Sequence, residues 1–479
     1  MGIQSGRAKA ASAVVALLTL VSTLTAAGSA EAAATRIRLG SASDVSRASW
    51  QGPAFTMNGD GKMIPASMSA AIDAIRGTAG SLDVVVIAGS APTTGSPTPE
   101  CDAALALPGV NSCTSWTLTA ASDGGNSQVN ADVRNAEFVY FAGGDQCRYA
   151  AWKGSALEAS VESVVAKGGG SGGGSAGHHV NSPVVYDACK GSVTSAEALA
   201  NPYDSYVTFT TGMFDWPNYG GVINDSHFAA RDRMGRTMAF VARAIKDGRT
   251  SGGKAWGVGV EEGSSLLLDK NGKATLYGKE AYVVLGDHQP ERATSGKPLS
   301  FSDYKIWRLG PGQSHDFKNR PACGYYLRSV TDGVIDANPY SGTPRTTCEA
   351  PGGTTPLAET EANDTRATAD DATALAYPAA LTGTMKSTTD RDHFRISLVA
   401  GEQITVQCTI PDGAYDADLY LLDSTGSTIS RSVNDGVGAD ESLTHTRTAT
   451  GSGTYYIELD AYRGSGNSPY TCALTKTKP

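Results

Sequence analysis

Hydrophobic and polar positions change their spacing twice along this chain of 479 residues. At the start, Ala13-Val14-Val15-Ala16-Leu17-Leu18-Thr19-Leu20-Val21 follows Arg7 and Lys9 and leads to Ala30-Glu31-Ala32. A basic start, an apolar run too short to span a bilayer and an Ala-x-Ala site predict an export signal over residues 1–34. From Thr35 to about Lys246 strand and helix patterns alternate. Residues 37–39, 82–88 and 136–142 read as strands, and the β-branched run from Val84 to Ile87 in the second predicts burial on both faces. Residues 63–75, 149–166 and 231–245 read as helices, the last with Met234, Met238, Val241 and Ile245 at helical spacing. Strands that end in glycine and feed helices predict a parallel sheet covered on both faces, with its chemistry at the carboxyl ends of the strands. Residues 257–260, 264–268 and 280–285 read as further strands, Asn271-Gly272 marking a hairpin between the last two.

The second change falls at Glu349-Ala350-Pro351-Gly352-Gly353-Thr354-Thr355-Pro356, which reads as a linker over 349–356. Beyond it helical periodicity ends. Residues 393–398, 403–410, 417–422 and 453–459 alternate apolar and polar positions between turns, which predicts an antiparallel β-sandwich over 357–479. The expected architecture is therefore an α/β domain over 35–348 followed by that sandwich.

Composition narrows the function classes. A net charge of −9 argues against a nucleic-acid partner. No stretch after the signal is long and apolar enough to span a membrane, so a secreted, extracellular protein is expected. Eight cysteines in an exported chain, with no Cys-x-x-Cys spacing, favour disulfides over metal thiolates. Their order suggests Cys101–Cys113, Cys147–Cys189, Cys323–Cys348 and Cys408–Cys472.

The chemistry centres on Ser175 in Gly173-Gly174-Ser175-Ala176-Gly177. Small residues around a serine permit the tight strand-to-helix turn that lifts its hydroxyl into a cleft. A serine hydroxyl needs a base to take its proton and donors to hold the oxyanion. Phe141-Ala142-Gly143-Gly144-Asp145-Gln146 lies upstream and Asp225-Ser226-His227-Phe228 downstream.

These motifs, in this order and with Arg231, Arg233 and Arg236 after the histidine, resemble the serine peptidase family of cyanophycinase and aspartyl dipeptidase. The likeness runs from about Ile37 to Leu309 and includes Gly257-Val258-Gly259-Val260-Glu261-Glu262. It implies a flavodoxin-like sheet, Ser175 as nucleophile, His227 as general base and an orienting acid placed between them in sequence. Glu197, in Ser195-Ala196-Glu197 before Asn201-Pro202, is the first choice for that acid and Asp187 the second; either can instead be a solvated loop carboxylate. The N–H groups of Gly144 and Ala176 are the expected oxyanion donors. Gln146 matches a substrate-contacting position, and Arg231 and Arg236 are expected to clamp a substrate carboxylate. For Arg233, ion pairing on the helix surface is an equal alternative. No cofactor and no catalytic metal are expected; the partner is a peptide substrate.

Residues 168–174, Gly-Gly-Gly-Ser-Gly-Gly-Gly, taken alone read as a flexible linker, but the flanking motifs place them on the strand before the nucleophile. His178 and His179 stand where the family has small residues, and Ser226 where cyanophycinases carry glutamine, which weakens cyanophycin itself as the substrate. Residues 357–478 resemble the bacterial pre-peptidase C-terminal domain through Glu361-Ala362-Asn363-Asp364-Thr365, Asp390-Arg391-Asp392-His393-Phe394, Asp416-Ala417-Asp418-Leu419-Tyr420-Leu421, Gly453-Thr454-Tyr455-Tyr456 and Tyr470. Glu361, Asn363, Asp390 and Asp392 supply the oxygen ligands of a calcium site or else are solvated loop residues. The leading expectation is a secreted serine peptidase acting on acidic or β-aspartyl, cyanophycin-like peptides. A serine esterase and a non-catalytic extracellular binding protein are the alternatives.

Overall fold

The structure is a computed structural model that describes residues 34–477 except 48, 78–79, 91–94, 322, 346–355, 376, 378 and 411–414. The expected export signal, apart from Ala34, and the expected linker, apart from Pro356, lie outside the described residues. The chain forms β1 (Thr35–Gly40), β2 (Ala54–Asn58), α1 (Pro65–Arg76), β3 (Leu82–Ala88), α2 (Pro99–Leu105), β4 (Val110–Thr117), α3 (Ser127–Asn135), β5 (Phe138–Phe141), α4 (Gln146–Ala150), α5 (Ala156–Ala166) and β6 (Gly170–Gly174). Strands β4, β3, β5, β6 and β2 lie side by side in that order and run parallel. Alternation along them accounts for their continuous hydrophobicity. Val84, Val86, Phe138 and Tyr140 pack with Met68, Ile72 and Ile75 of α1, while Val85, Ile87, Val139 and Phe141 pack with Val133 of α3 and Val161 of α5.

Strand β6 holds the glycine run in the middle of this sheet, between β5 and β2. Its neighbours leave no room for side chains. A Cβ on Gly170 would stand 2.3 Å from the Ala54 carbonyl oxygen and one on Gly172 2.2 Å from Thr56 Oγ1. The linker interpretation of 168–174 does not hold, because close backbone approach overrides glycine's poor strand propensity.

After β6 come α6 (Ala176–Val180), β7 (Val184–Tyr186), α7 (Ser195–Ala200), β8 (Phe209–Thr211), β9 (Val222–Asp225), α8 (Met234–Lys246) and β10 (Ala255–Val260). They are followed by β11 (Ser265–Asp269), β12 (Lys273–Tyr277), β13 (Ala281–Gly286), β14 (Phe301–Leu309), β15 (Ser314–Asp316), β16 (Tyr326–Thr331) and β17 (Val334–Ile335). β9 and β10 are parallel neighbours at one edge of a six-stranded sheet completed by antiparallel β13, β14, β16 and β17. β11, β12 and β15 extend the nine-stranded sheet in antiparallel fashion. The α/β region is thus built on mixed rather than mostly parallel sheets, since every strand from β11 to β17 joins antiparallel and β1 lies antiparallel to β4. The Asn271-Gly272 turn joins β11 to β12, and residues 281–286 belong to the other sheet. The expected helix at 231 begins at Met234, after a loop that carries Asp232 at φ 48°.

The C-terminal region comprises β18 (Leu357–Ala358), β19 (Asp370–Asp371), β20 (Ala379–Gly383), β21 (Arg391–Val399), β22 (Gln403–Thr409), β23 (Tyr415–Asp423), β24 (Thr428–Ser432), β25 (Glu441–Thr446), β26 (Ser452–Gly464) and β27 (Tyr470–Thr477). It is β-rich, with two five-stranded sheets, β18-β20-β27-β22-β25 and β19-β21-β26-β23-β24. Leu381, Ile404, Val406 and Leu474 from one meet Phe394, Ile396, Leu419 and Ile457 from the other in a common core. Pairing is antiparallel except where the short β18 and β19 lie parallel to β20 and β21.

Disulfides join Cys101 to Cys113, Cys147 to Cys189 and Cys408 to Cys472, as the order of the cysteines suggested. Cys323 is also disulfide-bonded, and Cys348, its expected partner, lies outside the described residues. No helix among the described residues is long and apolar enough to cross a membrane.

His315 is enclosed by Trp256, Trp307 and Phe317, and burial pushes its pKa down to about 3. A histidine neutral in the fold but free to protonate when unfolded stabilises fully above its unfolded value of about 6.5, and this contribution is lost as pH falls from there towards 3. His315→Leu is therefore expected to gain stability relative to the wild type by about 1.4 kcal/mol for each pH unit below about 6. Denaturant midpoints of both proteins from pH 8 to pH 4 measure this difference; a constant difference would exclude it.

Candidate active site

Ser175 follows β6 directly, with φ 51° and ψ −111°, in a strained conformation outside the regions favoured by L-residues. The strain is imposed from both sides. The Ser175 N–H donates to Asn58 O at 3.3 Å, and a Cβ on Gly177 would lie 1.9 Å from the Phe141 carbonyl oxygen, so α6 sits tight against β5. This geometry lifts the hydroxyl out of the strand.

His227 follows β9, also at positive φ, 48°. Its Nε2 lies 2.9 Å from Ser175 Oγ. Its Nδ1 lies 2.6 Å from Glu262 Oε1, two residues past the end of β10. Serine, histidine and glutamate thus form one hydrogen-bonded line across the carboxyl ends of β6, β9 and β10. Gly59 brings these elements together. Its carbonyl accepts from the His227 N–H at 2.7 Å, its N–H donates to Ser264 O at 2.9 Å, and a Cβ there would stand 2.0 Å from the Glu261 carbonyl oxygen. Only glycine fits where the end of β2 passes between the histidine and the acid.

Neither expected acid reaches His227. Glu197 is exposed at the start of α7, where Oε2 accepts from Thr194 N–H at 2.9 Å and from its hydroxyl at 2.8 Å in a capping box. Asp187 accepts from Cys189 N–H at 3.1 Å, Thr210 Oγ1 at 2.9 Å and Thr208 Oγ1, and is occupied in fixing β8 beside β7. Glu262 was legible as the acidic pair ending the Gly257–Val260 strand, but its place could be recognised only once β10 was seen to lie beside β9. Its neighbour Glu261 turns inward and accepts from the backbone N–H of Ala230 at 2.9 Å, which braces the histidine loop.

Burial lowers the pKa of His227; the hydrogen bond to Glu262 opposes this, and Arg231 and Arg233 reinforce it. The imidazole is therefore neutral at neutral pH and can accept a proton. The hydrogen bond with His227 holds the Glu262 carboxyl below its ordinary value.

The Gly143-Gly144 turn follows β5 next to the nucleophile. A Cβ on Gly143 would stand 3.7 Å from Ser175 Cβ, and Gly144 is exposed with φ 152°. Ala176 opens α6, so helical bonding leaves its N–H without an internal acceptor. Gln146, half-buried, opens α4 just past the turn, and Asp145 caps that helix by accepting from Cys147 N–H at 2.9 Å. The Cys147–Cys189 bridge anchors the same helix to the segment after β7.

The arginines separate by burial. The Arg231 side chain is 54% exposed, with Nε 3.7 Å from Glu262 Oε1. Arg236 is not placed to clamp a ligand. It is 2% exposed and binds the buried Asp225 in bidentate fashion, Nε to Oδ2 at 2.8 Å and Nη2 to Oδ1 at 2.5 Å. Arg233 donates to Ser226 O at 2.8 Å. His178 and His179 lie on α6, and both side chains are buried.

In the C-terminal region Glu361, Asp390 and Asp392 bring one carboxylate oxygen each within 4.8 Å of one another. Among the described residues, Asn363 Oδ1 and Asp392 Oδ1 are buried without hydrogen-bond partners.

Comparison with known proteins adds the following. The chain is similar to a peptidase from an acI-B1 Actinobacterium (16% identity over 56% of this chain and 98% of that one, TM-score 0.37). It is also similar to a putative peptidase E protein from Listeria monocytogenes EGD-e (13% identity, 47% and 98% coverage, TM-score 0.31). A third similarity is to the pre-peptidase C-terminal domain of a collagenase from Bacillus anthracis (14% identity, 23% and 94% coverage, TM-score 0.18). No curated protein matches the chain. Residues 390–461 match the bacterial pre-peptidase C-terminal domain family.

Proposed function

We propose that the protein is a secreted serine peptidase of the cyanophycinase and aspartyl dipeptidase type, on a flavodoxin-like sheet, with Ser175, His227 and Glu262 as its triad. The observation that carries this reading is the unbroken hydrogen-bonded line from Ser175 Oγ through the His227 ring to the Glu262 carboxylate. His227 Nε2 takes the hydroxyl proton as Oγ bonds to the peptide carbonyl carbon, and Glu262 holds the ring and stabilises the imidazolium. The tetrahedral oxyanion rests on the N–H groups of Ala176 and Gly144. The imidazolium then protonates the leaving amine, the C–N bond breaks, and water releases the acyl group by the same steps with His227 again as base. Arg231, exposed at the rim, and Gln146 are the residues for binding substrate, which favours peptides with an acidic side chain or a free carboxylate.

Because His227 is held below its ordinary value, activity is expected to persist to mildly acidic pH and fall only below about 6.5. A fluorophosphonate probe should label Ser175, and a peptide-library digest read by mass spectrometry should show cleavages that the Ser175→Ala protein does not make. Absence of labelling in the wild-type protein would sink the reading.

For the C-terminal region the clustered carboxylates of Glu361, Asp390 and Asp392, with the buried Oδ1 of Asp392 unpartnered, suit calcium, a hard cation that takes carboxylate oxygens. Calcium at a hundredfold excess over its dissociation constant is expected to stabilise this region by about 2.7 kcal/mol. Asp392→Asn should abolish the calcium-dependent shift in melting temperature; an equal shift in both proteins would exclude the site.

A further inference from the structure

We propose that His179 is a positioning residue that couples the nucleophile's helix to the histidine's loop behind the cleft, an inference that rests on the serine-hydrolase reading above. The need for such a coupling begins with β6. A strand of glycines and one serine offers almost no side chains to brace the turn it supports, and Ser175 is held at a strained φ. Strain of this kind persists only where the surroundings over-determine it.

His179 supplies a brace from the far side. It is 2% exposed, its backbone N–H donates to Ser175 O at 3.2 Å, and its ring stands edge-on to Tyr186 at 6.1 Å. Nε2 and Ser226 Oγ share a hydrogen bond at 3.2 Å, and Ser226 directly precedes His227. Ser226 is itself held from two other directions. Its N–H donates to Asp225 Oδ1 at 2.8 Å, and its carbonyl and hydroxyl accept from Arg233 Nη1 at 2.8 and 3.2 Å. Asp225, fully buried, is fixed by Arg236 and by Thr237 Oγ1 at 2.9 Å, and its Oδ1 lies 3.6 Å from His179 Nε2. The nucleophile and its base are therefore joined twice: in front by the Ser175–His227 hydrogen bond, and behind through His179, Ser226 and the Asp225–Arg236 pair. A loosened rear joint leaves the front one free to drift, and a displacement of about 1 Å is enough to slow a reaction that depends on alignment.

The test is the second-order rate of Ser175 labelling by a fluorophosphonate probe, followed from pH 5 to pH 9 beside thermal midpoints. His179→Leu fills similar volume without the hydrogen bond, His179→Gln keeps an amide N–H in reach of Ser226, and His315→Leu is a buried control remote in sequence from the site. His179→Leu and Ser226→Ala are each expected to label about tenfold more slowly, with the double variant no slower than the slower single. His179→Gln should recover most of the rate, and His315→Leu should label as the wild type does whatever its midpoint. If His179→Leu fails to fold, Ser226→Ala, which removes one oxygen, decides. Wild-type rates in the folded variants, or single effects that multiply in the double, would overturn the coupling and leave the peptidase reading standing. A wild-type protein that does not label would instead remove that reading.

Discussion

Ser175→Ala and His227→Ala are each expected to lower kcat by about 10⁶-fold, and the protein with both changes to be no slower than either alone. The reason is that the hydroxyl and the imidazole act as one unit, 2.9 Å apart. Without the ring, the hydroxyl proton has nowhere to go as Oγ attacks; without the hydroxyl, the ring has nothing to deprotonate. The residual rate, about 10³–10⁴ above that in water, comes from the oxyanion donors and substrate binding, which neither change touches. Alanine keeps the Cβ that makes φ 51° costly at position 175, so the turn is neither relaxed nor further strained, and melting temperatures should stay close to that of the wild type. Single-turnover kinetics on a peptide found in the library digest measure the effect. Losses that multiplied in the double variant would mean that the two side chains serve separate steps.

How far the sequence disclosed this site depends on which interactions lie along the chain and which cross it. The strand-to-helix turn at Ser175 was legible because a nucleophile turn needs small residues on both sides, and Gly173, Gly174, Ala176 and Gly177 provide them. The 82–88 strand was legible because burial on both faces leaves the uninterrupted apolar run from Val84 to Ala88. The role of Glu262 was not legible because it arises from the parallel pairing of β9 with β10, a contact between segments separated by α8. Glu197 was misleading for a local reason: a glutamate three residues after Thr194 is what a capping box requires, and that use leaves no carboxylate for a histidine. Arg236 misled in the same way, since nothing in the local spacing shows that Asp225 would be buried and need a bidentate partner. The mixed character of the sheets was hidden because β11 joins β2 and β13 joins β10 antiparallel in two different sheets, a division that no local apolar run records.

Glu262→Gln is expected to lower kcat by 10²–10⁴-fold, roughly, whereas Glu197→Gln leaves it unchanged. Glutamine keeps the size of the side chain but removes the charge that stabilises the imidazolium. It also presents either a carbonyl oxygen or an N–H to His227 Nδ1, so the ring is no longer fixed in the tautomer that leaves Nε2 bare. The Glu262 side chain is 39% exposed, so water can take over part of its work, and the lower half of that range is favoured. The pH profile separates this role from a merely structural one. The hydrogen bond with Glu262 raises the pKa of His227 against the lowering effect of burial, so its loss should shift the acid limb of kcat/KM to lower pH even as the plateau falls. Glu197→Gln should instead leave the pH profile unmoved, since glutamine at this position still accepts from Thr194 in the capping box of α7. The reverse pattern, a collapse of activity in the Glu197 variant and none in the Glu262 variant, would return the acid to the segment between the nucleophile and the histidine, and would mean that the line seen across the ends of β6, β9 and β10 is not the one that moves the proton.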